Sequence, residues 1–131
     1  CLGISQKSRI GIDIVKIDSR YPFLASGEYL FSRDERNWIV QAAPEDRPCR
    51  FFRIWCLKEA LIKATGRNVN LMKEADVSGI MTVPFLDGCY TVNLGNMDQK
   101  WYIHESGYGP DHHCTLATIP GTPQEPDPWN S

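Results

Sequence analysis

The chain has 131 residues, of which 42% are hydrophobic and 23% are charged, and its formal net charge is −2. This composition is that of one globular domain, and it excludes a disordered tail, a collagen-like fibre and a coiled-coil rod. The slight acidic balance argues against a nucleic-acid partner, and the absence of about eighteen consecutive apolar residues argues against a membrane span.

Cysteine usage predicts a reducing compartment. The number of cysteines is odd and no Cys-x-x-Cys pair occurs, so neither a disulfide framework nor a zinc ribbon is indicated. We therefore expect a cytoplasmic protein whose thiols pack as small hydrophobic groups. The sequence shows no signal-peptide pattern. It begins with Cys rather than Met, so we expect it to be a piece of a longer protein. The cysteines are Cys1, Cys49, Cys56, Cys89 and Cys114.

The first part of the chain predicts a strand followed by a helix. β-Branched residues over 9–17 predict a buried strand that contains Asp13. Residues 28–42 are compatible with a helix, and Glu35 stands three residues after Ser32, which is the spacing of a capping box. We therefore expect the helix itself to begin at Ser32.

The strongest helical pattern covers residues 49–65, and the pattern of the residues after it predicts strands. Aromatic and aliphatic residues recur at helical spacing up to Gly66, a typical C-cap glycine. Asp87-Gly88 and Gly95-Asn96 resemble hairpin turns. Short apolar runs predict strands at residues 77–83, 89–94, 101–104 and 114–119.

This order of elements, one strand, two helices and then an antiparallel sheet, predicts one α+β domain. We place the domain at residues 1–119. Prolines are frequent in residues 120–131, which predicts a tail or linker without helix or central strand.

Three charged side chains stand in apolar surroundings. Asp13 lies among isoleucines, where a carboxylate is costly unless a cation or donors meet it; the alternative is a strand-end residue facing solvent. Glu59 and Lys63 have the spacing of a surface ion pair, but the aromatic residues in the same turns favour a cleft. Two carboxylates and a phosphate group are typical of a Mg²⁺ site, and a nearby lysine can reach the same phosphates.

Three blocks resemble the 4'-phosphopantetheinyl transferase superfamily, in order and at plausible separations. The resemblance spans roughly residues 9 to 119. It implies the fold of this family, an antiparallel sheet packed against a long helix, as one half of a pseudo-dimer. The blocks are Gly11-Ile12-Asp13, Phe31-Ser32-Arg33-Asp34-Glu35, and Trp55-Cys56-Leu57-Lys58-Glu59-Ala60 followed by Lys63.

The resemblance also implies an activity. It is the Mg²⁺-dependent transfer of 4'-phosphopantetheine from coenzyme A to a serine of an acyl or peptidyl carrier protein, which releases adenosine 3',5'-bisphosphate. By carry-over, Asp13 and Glu59 would be the Mg²⁺ ligands. Glu59 would also act as the base, and Lys63 would stabilise the leaving phosphate. Contacts with coenzyme A would come from Lys63, Lys58 and Glu35.

Two features depart from the family pattern. Val15 stands where many bacterial members carry a second acid, so a water would replace that ligand. The chain resembles only the second half of the larger members, whose site lies between two similar halves, whereas small members form it between identical subunits. The resemblance therefore implies a homo-oligomer or a missing N-terminal half. The alternative functions are a non-catalytic half-domain that binds coenzyme A or a carrier protein, and a Mg²⁺-dependent hydrolase of nucleotide pyrophosphates.

Overall fold

The computed structural model describes residues 10–18, 30–65, 75–94, 98–108 and 111–119. The predicted tail, the Gly66 cap and the turn at residues 95–96 lie outside them. The helices are α1 (Arg33–Val40) and α2 (Arg47–Thr65), with 3₁₀ turns at Pro44–Asp46 and Ser78–Ile80. The strands are β1 (Ile10–Lys16), β2 (Ala75–Asp76), β3 (Asp87–Leu94), β4 (Asp98–Tyr108) and β5 (His112–Thr118).

The described strands form one antiparallel sheet in the order β1-β5-β4-β3-β2. Helix α2 packs on one face of this sheet, and its apolar side chains meet the fully buried Trp101, Ile103 and Ala117. The predicted α+β class, with an antiparallel sheet against a long helix, is confirmed. None of the described helices combines the length and apolar character needed to cross a bilayer.

Both predicted helices are present. Ser32 caps α1: its hydroxyl accepts a hydrogen bond from the Glu35 N–H at 3.1 Å, and the Glu35 carboxylate accepts one from the Ser32 N–H at 2.7 Å. The capping box is therefore confirmed. Helix α2 begins two residues before its predicted start, and Pro48 lies in its first turn. Backbone N–H groups in the first turn make no hydrogen bond within the helix, so a proline is tolerated there.

One strand prediction and one turn prediction after α2 are wrong. Residues 77–83 contain a 3₁₀ turn, because the Ile80 N–H bonds locally to the carbonyl of Val77 instead of joining a ladder. Asp87 and Gly88 open β3 instead of forming a turn. Asp87 is drawn into the sheet by His104, which is its neighbour in the β4 register and a hydrogen-bond partner of its carboxylate.

Strand β1 is at the edge of the sheet, and the prediction of a buried strand is wrong for one of its faces. Alternate residues of a strand point to opposite faces, and α2 covers only one of them. Ile10, Ile12 and Ile14 on the other face are 48%, 50% and 56% exposed. The face toward α2 carries Gly11 and Asp13, which are buried and half-buried.

Gly11 sets the distance between β1 and α2. A Cβ atom at this position would lie 1.8 Å from the carbonyl oxygen of Ala60 and 2.7 Å from the amide nitrogen of Ala64. These two alanines are one helical turn apart, and their small side chains allow the strand to approach the helix backbone. Asp13 lies two residues further along the same face, where it contacts Cys56 and Lys63.

Glu105 on β4 is a second junction between the sheet and α2. It is fully buried and accepts two hydrogen bonds at 2.8 Å from Arg53, one at 2.8 Å from the Leu86 N–H, and shares one at 3.0 Å with His113. Burial alone would raise the pKa of Glu105, but these bonds outweigh it and lower the pKa to about 2. Arg53 also donates to two carbonyl groups of the segment before β3.

Replacing Gly11 by Ala should destabilise the protein by at least about 2 kcal/mol, since the added methyl group overlaps helix backbone that cannot rotate away. Gly79→Ala is the matched control, because a Cβ there would meet nothing within 4 Å. Urea unfolding of both variants gives the comparison. Equal free energies of unfolding for the two variants would show that β1 does not depend on this contact.

Stability in acid should depend on Glu105. Its folded pKa lies below the ordinary value of 4.5, so the ionised group stabilises the fold above that pH, and this stability is lost as the pH falls through about 2. The shift corresponds to about 3 kcal/mol. Between about pH 5 and 2, the parent should therefore lose about 3 kcal/mol more unfolding free energy than Glu105→Gln. Parallel curves for the two proteins would contradict this assignment.

Candidate functional site

Asp13 and Lys63 meet where β1 crosses α2. The Lys63 ammonium donates hydrogen bonds to Asp13 Oδ1 at 2.7 Å and to the carbonyl oxygen of Ile12 at 3.3 Å. The Asp13 side chain is 12% exposed and that of Lys63 is 51% exposed. Hydrogen bonding to Asp13 raises the pKa of Lys63, which therefore stays an ammonium at neutral pH. The ion pair of Lys63 is thus a tertiary contact with the strand.

Glu59 lies one helical turn before Lys63 and is half-buried. Burial and the negative charge of Asp13 raise the pKa of Glu59, while the charge of Lys63 opposes that rise. The Asp13 and Glu59 carboxylates are therefore close enough to repel one another. The structure brings these three predicted residues to one place, and the roles predicted for them remain predictions.

The donor atoms at this place suit a hard divalent cation. Asp13 Oδ2 is buried and has no hydrogen-bond partner within the described residues. A buried carboxylate oxygen without a partner costs folding free energy unless a cation binds it. Across the described ranges, no three His, Cys, Asp or Glu side chains are grouped to hold a metal. Two carboxylates nevertheless fit Mg²⁺, which takes its remaining ligands from water and phosphate oxygens.

Cys56 is a site neighbour that the sequence analysis treated only as a core residue. Its buried thiol donates to the carbonyl oxygen of Asp13 at 3.1 Å and lies 3.6 Å from that of His113. Burial raises the pKa of this thiol to about 12, so it remains a donor. Cys56, Glu59 and Lys63 follow one another at intervals of three and four residues, and this helical spacing could have identified Cys56 as a member of the same face.

Lys58 and Glu35 form a separate, fully buried pair. The Lys58 ammonium is 2.6 Å from Glu35 Oε1, and Glu35 Oε2 accepts the Val77 N–H at 2.8 Å. Burial lowers the pKa of Lys58, and the charge of Glu35 opposes that change. These bonds tie α2 to α1 and to the segment after β2, and neither side chain has exposed surface. Their predicted contact with coenzyme A remains a prediction.

The family model of the 4'-phosphopantetheinyl transferase superfamily matches residues 9–117 of the chain. The chain is 36% identical over 118 residues to the 4'-phosphopantetheinyl transferase psf-1 of Bacillus pumilus. That alignment covers 89% of the chain and 48% of psf-1, so the chain spans about half the length of this relative.

Among solved structures, the chain is similar to the holo-acyl-carrier-protein synthase of Thermotoga maritima. The TM-score is 0.49 at 17% sequence identity, and the match covers 84% of this chain and 61% of that one.

The family match includes every element that builds the site. It contains β1, which supplies Asp13, and α2, which supplies Glu59 and Lys63. It also contains α1, β4 and nearly all of β5. The chain belongs to the 4'-phosphopantetheinyl transferase superfamily.

Proposed function

We propose that the chain carries the catalytic site for transfer of 4'-phosphopantetheine from coenzyme A to a serine of an acyl or peptidyl carrier protein. Adenosine 3',5'-bisphosphate is the other product. The observation that carries the proposal is the junction of Asp13, Glu59 and Lys63 in a member of this superfamily. The name of the relative psf-1, a 4'-phosphopantetheinyl transferase, supports the same reaction.

Asp13 and Glu59 would hold the Mg²⁺ ion in this proposal. The buried and unpartnered Oδ2 of Asp13 supports that role, because ligation there breaks no existing hydrogen bond. When bound, the ion neutralises the diphosphate of coenzyme A, whose negative charge otherwise repels a nucleophile. Val15 offers no ligand atom on the same strand face, so water would complete the coordination.

Glu59 would act as the general base. The serine oxygen attacks the phosphorus that carries the pantetheine arm, Glu59 accepts the hydroxyl proton directly or through a water, and the bond from that phosphorus to the adenosine bisphosphate breaks. A base works best when its pKa is near the working pH. Burial and the neighbouring Asp13 move the pKa of Glu59 in that direction.

Lys63 would stabilise the negative charge on the leaving phosphate. Its ammonium is half-exposed on a flexible stem, which allows it to reach a bound diphosphate. The complete burial of Lys58 and Glu35 favours a role in positioning α2 rather than the predicted contact with coenzyme A.

We also propose a cytoplasmic location, which the free thiols of Cys49, Cys56, Cys89 and Cys114 support.

A second candidate is a half-domain that binds coenzyme A or a carrier protein and needs another half for activity. Two observations favour it: the chain spans 48% of psf-1, and one face of β1 is apolar and exposed. Exposed apolar patches of this kind mark interaction surfaces. We propose that the face of Ile10, Ile12 and Ile14 is covered by a second fold of the same family, either another copy or an N-terminal half.

Coenzyme A labelled in its pantetheine arm, mixed with Mg²⁺ and an apo carrier protein, tests the proposed function. Label covalently attached to the carrier indicates the transferase. Label that is only bound to the chain indicates the half-domain, and cleaved coenzyme A with an unlabelled carrier indicates a hydrolase. Either of the last two results would contradict transfer by this chain on its own, and the bound-only result would favour the half-domain.

Glu59→Gln should reduce transfer at least about 100-fold, because the change removes the proposed base and a ligand charge while it preserves side-chain volume. The measurement is the initial rate of carrier labelling, with urea unfolding as a check on the fold. Glu45→Gln, an exposed glutamate of the 3₁₀ turn before α2, is the matched control and should keep the parent rate. Parental activity in Glu59→Gln would remove Glu59 from the mechanism.

The state of association should depend on the exposed face of β1. If copies of the chain associate through it, Ile12→Lys should reduce the mass in sedimentation equilibrium to that of one copy, because the lysine would be buried. Val40→Lys, which changes an exposed apolar residue of α1, should leave the mass unchanged.

If the parent is a single copy, the proposal that a second fold covers this face of β1 requires the parent to be inactive until an N-terminal half is supplied. A single copy that labels the carrier by itself at a high rate would contradict a second fold on this face.

A further inference from the structure

We propose that Lys63 is an internal counter-cation of the metal site: its ammonium holds Asp13 before a divalent ion binds, and the ion must compete with it. The inference rests on the proposed function in one respect, because it takes Asp13 to be a metal ligand. It adds that Lys63 weakens metal binding by this chain.

The geometry of Asp13 supports this competition. One carboxylate oxygen, Oδ1, accepts the Lys63 ammonium at 2.7 Å, and the other, Oδ2, is buried without a partner in the described part of the chain. Lys63 also donates to the carbonyl oxygen of Ile12 at 3.3 Å, so its ammonium bridges the strand backbone and the carboxylate. An ion bound to Asp13 would therefore lie within a few ångströms of this ammonium or displace it.

The charges around Asp13 support the same conclusion. Asp13 and Glu59 repel each other, and Lys63 is the cation that acts on both of them. With Lys63 the three side chains sum to a charge of −1; without it the two carboxylates carry −2, a stronger attraction for a divalent ion. A positive charge a few ångströms from a bound divalent ion repels it, so removal of the Lys63 charge should strengthen metal binding.

Lys63 is also free to move when an ion bound to Asp13 repels its ammonium. Its side chain is 51% exposed, and the lysine stem reaches several ångströms from the helix. An ammonium released from Asp13 becomes available to the phosphates of coenzyme A. Metal binding and phosphate binding are then coupled, each increasing the affinity for the other.

The experiment measures Mn²⁺ affinity of the full chain without coenzyme A, by isothermal titration calorimetry and by the loss of free Mn²⁺ signal in electron paramagnetic resonance. Lys63→Met should bind Mn²⁺ roughly tenfold more tightly than the parent. Lys63→Arg keeps the charge and should bind like the parent. Lys100→Met is the matched control for net charge, since this exposed lysine of β4 lies away from α2, and it too should bind like the parent.

Asp13→Asn separates failure of this inference from failure of the proposed function. If Asp13→Asn loses Mn²⁺ binding while Lys63→Met and Lys63→Gln bind no more tightly than the parent, Lys63 is not a competitor and the proposed metal site stands. If the parent binds no Mn²⁺, or Asp13→Asn binds it as well as the parent does, both the metal site and this inference are wrong. The second neutral variant, Lys63→Gln, guards against a folding defect specific to methionine.

Discussion

Close packing of β1 on α2 determines where every proposed catalytic group lies. The strand can approach the helix backbone only because Gly11 has no side chain and because the helix presents Ala60 and Ala64 at the point of contact. Two residues beyond Gly11, the same strand face carries Asp13 to the turns that hold Glu59 and Lys63. A wider spacing would separate Asp13 from Lys63 and break their ion pair.

Buried charges keep α2 in the orientation that this packing requires. Lys58 points into the core toward Glu35, while its sequence neighbour Glu59 points toward β1. Adjacent helical residues differ in direction by about 100°, so fixing Lys58 on one side also fixes Glu59 on another. Arg53 and Glu105 add a further tie from α2 to β4. The Lys58–Glu35 bonds join α2 to α1 and the Arg53–Glu105 bonds join α2 to β4, so together they limit how α2 can rotate about its axis.

The site combines opposing electrostatic demands. Two carboxylates attract a cation but repel each other, and the ammonium of Lys63 relieves the repulsion while it occupies one oxygen of Asp13. In the proposed function, the same three groups would serve both a metal-free and a metal-bound arrangement. The exposed isoleucines of β1 lie on the opposite face of the strand, so a partner there would not compete with ligands at Asp13.

The sequence by itself determined the α+β class, the capping box of α1, the extent of α2 within two residues and the family. These are local properties: Ser32 and Glu35 are three residues apart, and the helical pattern of α2 repeats every turn. The correspondence of three short blocks was enough to identify the superfamily, which the match over residues 9–117 confirms.

Only the tertiary structure decided which face of β1 is covered, where Lys58 points and which carboxylate pairs with Lys63. A run of isoleucines has the same pattern in a central strand and in an edge strand with one exposed face. The partner of Lys63 is 50 residues away in sequence, whereas spacing along the helix offers only Glu59. The contact between Cys56 and the Asp13 carbonyl likewise exists only once β1 lies on α2, because backbone groups carry no sequence pattern of their own.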